Sequence, residues 1–250
     1  MPCGGERPVQ QTQPISQIQQ IQQLMEKAQA ALHRNAWFEA ERLALKALEI
    51  ARSVRDYALM ARIVLPLQEA RRQRLQLALD TKRVVIMDKS LGEEFRVEPG
   101  CYLVQPPTVG ADARRLRLAA LEQEAPAAVL CREPLTVARL CPIVSIGQVT
   151  IRSRIAPPKN WDKPSFSWFV GALESLGDAA IETLDRGTDS LRQVDALLAR
   201  LDSCPDHEKL HQALADACRQ AAKDLAEGRV SEPKDDVAFD ESADESSENS

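Results

Sequence analysis

The chain has 250 residues, 44% of them hydrophobic and only 4% aromatic, with a formal net charge of −5. That is enough for one or two globular domains rich in Ala and Leu, which favours helices packed closely through small side chains. The last twenty residues hold eight acidic residues and one Lys, so the rest is near +2 and carries neither the basic signature of a nucleic-acid binder nor an acidic one.

Residues 1–14 read as a polar, disordered leader, not a signal peptide. Residues 15–80 read as helical. Ile15, Ile18, Ile21 and Leu24 recur every third residue in a Gln-rich tract, as one face of a helix requires. Leu24, Ala28 and Ala31 then predict one helix, and Ala40, Ala44, Ala47 and Leu48 the next, with a turn at Arg34–Phe38 between them. These positions resemble a single tetratricopeptide (TPR) repeat over residues 21–54, with Ala28, Ala40 and Ala47 at its small-residue positions and Trp37 at its aromatic one. Departures stand at Leu24, Lys27 and Ala51-Arg52. The resemblance implies a helical hairpin whose surface holds a protein or peptide partner. A third helix is predicted over residues 56–79, where Pro66 is expected to kink or break it.

Residues 82–156 are the only part that reads as strands. Arg83–Met87, a short Phe95–Val97, Cys101–Val104, Ala127–Cys131, Ile143–Ile146 and Gln148–Ile155 are predicted strands, and Asp112 is predicted to cap a helix running to Gln123. In the last strand Val149, Ile151 and Ile155 alternate with Thr150, Arg152 and Arg154, which predicts one wet face and an edge position. The expected fold is α+β or α/β: a small mixed sheet flanked by the TPR-like hairpin and by a C-terminal helical bundle over residues 165–228, with breaks at Gly187 and at Cys204-Pro205. Residues 229–250 read as an acidic, disordered tail.

Three features carry chemistry. His207-Glu208-Lys209-Leu210-His211 resembles the HExxH motif of zincin metallopeptidases. That resemblance implies zinc on His207 and His211 with Glu208 acting on a bound water. The loops after Val104 and after Cys131 lie where ligands bind in open α/β sheets, and Thr108, Gly110 and Arg132 are the candidates there for an anion or nucleotide, with Arg114, Arg115 and Arg117 as further charge. The helical surface is the third. The leading expectation is a non-enzymatic interaction or scaffold protein with no cofactor. A zinc hydrolase and an anion-binding module stand as alternatives. Six cysteines without a CxxC pair read as buried thiols in a reducing compartment, and no apolar run is long enough to span a bilayer. The expected location is therefore the cytoplasm.

Overall fold

The computed structural model describes residues 16–90, 92 and 95–230; the leader, Cys3 and the acidic tail from 231 onward lie outside them. Seven helices and a five-stranded mixed sheet make up these residues, which is the α+β or α/β architecture expected.

Helix α1 (Gln17–His33) starts at a capping box: the Ser16 hydroxyl accepts from the Gln19 amide, and the Gln19 side chain accepts from the Ser16 amide. Its buried stripe is Ile21, Leu24, Ala28 and Ala31, while Ile18 is exposed. Helix α2 (Trp37–Ser53) buries Ala40, Ala44, Ala47, Leu48 and Ala51. Helix α3 (Tyr57–Asp80) follows. Two three-residue turns of the same design join these helices. Asn35 and Arg55 each take a positive φ of 60° and 57°. The following amides, of Ala36 and Asp56, bond to the carbonyls of Ala31 and Ala51, which satisfies the carbonyls left over at each helix end. The chain runs through Pro66 without leaving α3. The carbonyl freed by the missing amide belongs to Arg62, an exposed residue, so water can satisfy it.

The strands are β1 (Val84–Met87), β2 (Gly100–Val104), β3 (Ala127–Arg132), β4 (Cys141–Ile146) and β5 (Thr150–Ile155), in that spatial order. The β1–β2 and β2–β3 pairs are parallel, and β3–β4 and β4–β5 are antiparallel. Every residue of β2 is buried, as a central parallel strand covered on both faces requires. At the edge, β5 exposes Thr150, Arg152 and Arg154 and buries Ile151.

No strand forms at Phe95–Val97. Both backbones there are engaged instead by the Gln123 side chain, which accepts from the Val97 amide and donates to the Phe95 carbonyl. Helix α4 (Gly110–Glu122) begins one turn earlier than expected. Asp112 is inside it, and its carboxylate accepts from the Val109 amide at 2.9 Å.

Helix α4 covers one face of the sheet, packing on Tyr102, Val104, Cys131 and Val144. The other face, with Leu103, Ala128, Leu130 and Ile143, packs against the helices on both sides of it in sequence. These are α3, the helix α5 (Phe166–Glu182), and behind them the hairpin of α6 (Ser190–Ser203) and α7 (Glu208–Ala226). Fully buried residues such as Leu103, Leu130, Phe169 and Leu210 mark this larger core, each worth roughly 1.5–3 kcal/mol through burial. The five described cysteines are buried free thiols. Among the described residues, no helix is long and apolar enough to cross a membrane.

Candidate functional site

The densest polar cluster joins α2, α3 and the turn between α6 and α7. Arg71 and Arg74 are one turn apart on α3, on the buried stripe that also carries Leu67 and Ala78. Glu41 of α2 meets both. Its Oε1 accepts from Arg71 Nε at 2.8 Å, and its Oε2 is 2.8 Å from Arg74 Nε, an ion contact too bent for a hydrogen bond. Glu41, Arg71 and Arg74 are 4%, 7% and 6% exposed. Arg74 also stacks over Phe38 and approaches Asp206 at 3.5 Å. Arg71 reaches the Pro205 carbonyl and the His211 ring, each at 3.4 Å. Two guanidinium groups thus face two carboxylates, which is how buried charge becomes tolerable. Burial pushes the Asp206 carboxyl above its usual range, against the pull of Arg74.

This cluster is the floor of a cleft of about 360 Å³ between α2, α4 and the end of α6, a volume within the range of ligand sites. Leu45, Leu48, Leu118 and Leu121 supply its apolar walls. A second groove along α2 and α4, of about 640 Å³, shares Glu41, Leu45, Glu49 and Leu121 with it. Two exposed ion pairs bracket the region, Arg42–Glu124 at 3.4 Å and Arg52–Asp195 at 2.8 Å. Arg117 of α4 is used structurally: it donates to the carbonyls of Asp202 and Ser203 at the end of α6. Burial lowers its pKa.

The HEKLH pentad does not assemble as a metal pair. His207 is the N-cap of α7 and His211 sits in its first turn. The His207 ring lies against α5, where a Cβ at Gly177 would fall 2.1 Å from it. Its Nε2 faces Glu174 and Asp178, each at 3.5 Å, and Asp178 also holds Lys209 at 2.8 Å. His211 points the other way. Its Nδ1 is 2.9 Å from the His207 carbonyl and its Nε2 is 3.4 Å from Arg71 Nη1. That pattern is a neutral ring that donates through Nδ1 and accepts at Nε2. Burial, then the Arg71 charge, hold its pKa down to about 3. Both nitrogens of His211 are engaged, and a cation at Nε2 would meet a guanidinium, so His207 and His211 do not fit a shared zinc. Glu208 is exposed and accepts from Gln68 and Gln212. Among the described residues no three His, Cys, Asp or Glu side chains are arranged to hold a metal.

The two sheet loops separate in the same way. The Thr108 hydroxyl donates to the Met87 carbonyl at 3.1 Å. Gly110 gives room to Ile146, which a Cβ would meet at 2.7 Å. Both residues therefore build the loop into α4. Arg115 pairs with Asp112, and Arg114 approaches Asp202 at 3.9 Å. Arg132 lies on the opposite face of the sheet, since Cys131 is under α4 and Leu130 is on the far side. It stacks on Trp161 and bonds to Gln105, and burial lowers its pKa.

Sequence reasoning missed Glu41, Arg71, Arg74 and Asp206. A signal was present: Arg71 and Arg74 interrupt the apolar stripe of α3, and Glu41 sits beside Ala40 and Ala44 on that of α2. No family model, curated protein or solved structure matches this chain.

Proposed function

We propose that the chain is a non-enzymatic interaction protein whose N-terminal, TPR-like helical array holds a partner peptide in the groove between α2 and α4. One observation carries this reading. Leu45 and Leu118 are exposed large apolar residues, and both line the 360 Å³ cleft. Clustered exposed apolar side chains around a concave surface mark interaction sites. The charges of the cleft oppose one another in sign, with Glu41, Glu49, Asp202 and Asp206 against Arg52, Arg71, Arg74 and Arg117. A partner anchored by apolar side chains on a stretch of low net charge suits such a lining better than nucleic acid does. At the floor of the cleft Glu41, Arg71, Arg74 and Asp206 are paired with one another, which suits binding better than acid–base chemistry. The buried free thiols support a reducing compartment, and we place the protein in the cytoplasm.

The test is a peptide-display selection against the full chain, followed by binding to Leu45→Asp and Leu118→Asp. Selected peptides are expected to lose about tenfold or more in affinity, about 1.4 kcal/mol, while circular dichroism is unchanged. Failure to select any peptide, or binding indifferent to both substitutions, would overturn the proposal.

A further inference from the structure

Arg132 ends β3 at the carboxyl edge of the parallel part of the sheet, the edge beyond which α/β sheets bind ligands. None of it is exposed. Its hydrogen-bond and ring partners are all neutral, and the exposed Asp162 carboxylate acts on it only from beyond ion-pair distance. Gln105 Oε1 accepts from Arg132 Nε at 3.1 Å and also from Nη2, the Trp161 carbonyl accepts from Nη2 at 2.7 Å, and the Trp161 ring centre lies 3.8 Å from the guanidinium carbon. The buried Nη1 has no hydrogen-bond partner. No carboxylate forms an ion pair with Arg132 among the described residues. The other buried arginines differ: Arg71 and Arg74 have Glu41. A guanidinium taken out of water with no carboxylate in contact is penalised, and an unmet donor adds to that penalty.

A single segment covers this group. Residues 156–165 form neither helix nor strand, and Lys159, Asp162 and Lys163 face solvent along it. Besides Trp161, it is held by the buried Pro158 and Pro164 and by Trp168 Nε1 donating to the Ala156 carbonyl at 2.9 Å. Lifting Trp161 uncovers a fork of donors suited to a planar or tetrahedral oxyanion.

We propose that Arg132, with Gln105, forms a binding site for the phosphate or carboxylate group of a small ligand, closed by the Trp161 strap. It is separate from the α2–α4 groove, so either idea can fail alone. Binding to a site that is closed most of the time is weakened by the fraction open, so removing the cover should strengthen it. Wild type and Trp161→Leu, both full-length, are titrated with inorganic phosphate and separately with acetate at constant ionic strength.

Phosphate is expected to bind Trp161→Leu about tenfold more tightly than wild type. It should raise that variant's Tm by roughly 3–5 °C at ten times Kd. In wild type, the indole resonance that disappears in Trp161→Leu is expected to move on titration, and that of Trp37 on α2 should stay still. The same response to acetate assigns the carboxylate source; a response to phosphate alone assigns phosphate. Arg132→Gln is expected to abolish the response. If that variant does not fold, the wild-type resonance and the gain in Trp161→Leu still decide. No response to either anion in either protein, or a response that persists in Arg132→Gln, overturns the site.

Discussion

Two groups of buried arginine lie in this molecule, and they are treated differently. Arg71 and Arg74 share Glu41 and approach Asp206, so their charge is cancelled within the fold. Arg132 is more deeply buried, yet in direct contact it meets only an amide, a carbonyl and an indole ring, with Asp162 acting from farther away. The first group has the form of a structural bolt between α2, α3 and α7. The second has the form of a receptor for charge brought from outside. Burial alone does not distinguish the two; the sign of the neighbours does.

Substitutions can break or sharpen that contrast. The largest effect is expected for Glu41→Ala, which leaves two buried guanidinium groups without their shared carboxylate. A loss of about 3–5 kcal/mol by urea unfolding is expected, and a loss under about 1 would show the bolt to be ornamental. Next comes the contact that turns His207 away from His211. Gly177→Ala places a Cβ 2.1 Å from the His207 ring. A cost of about 1–3 kcal/mol is expected, read by the same denaturation, and a neutral result would show that His207 has room to move.

Acid tests the neutral state of His211. Its folded pKa of about 3 lies below the ordinary value of 6.5, so between these values the unfolded chain binds the extra proton. Stability is therefore full above about pH 6.5 and falls toward pH 3, by at most about 1.4 kcal/mol per pH unit. Asp206, whose pKa is raised, opposes this in part, because its folded form binds a proton more readily. Unfolding free energies measured from pH 7 to 4 should flatten in His211→Gln; an unchanged slope assigns the acid sensitivity elsewhere.

Arg132→Met is expected to cost only about 1 kcal/mol, since the lost hydrogen bonds are offset by removal of an uncompensated charge. If it costs more than Glu41→Ala, the contrast between the two groups collapses. Leu45→Asp should change stability by no more than about 0.5 kcal/mol and report on binding alone.

Much of the fold was legible from short-range pattern. The alternation of Ile151 with Thr150 and Arg152 marked an edge strand, and Cys101–Val104 read as a strand, whose cover on both faces came only with the packing. The failures have local causes. Phe95–Val97 has strand composition, but a glutamine side chain from α4 takes its hydrogen bonds. Asp112 has the chemistry of a cap but serves it from inside the first turn. Among the candidate site residues, Arg132 Nη1, Arg114 Nε and both His207 ring nitrogens are buried without a hydrogen-bond partner, and of these only Arg132 has no carboxylate within ion-pair distance. Thr108 and Gly110 are absorbed by packing, and His207 and His211 share a helix turn but not a direction.

Sequence alone determined where most of the helices and strands lie, because hydrophobic period and turn chemistry act over a few residues. Only the tertiary structure decided which charges meet. Glu41 finds Arg71 across 30 positions, Trp161 finds Arg132 across 29, and Arg71 finds His211 across 140. A buried charge takes its meaning from its neighbour, and no periodicity along the chain encodes a neighbour brought in by packing.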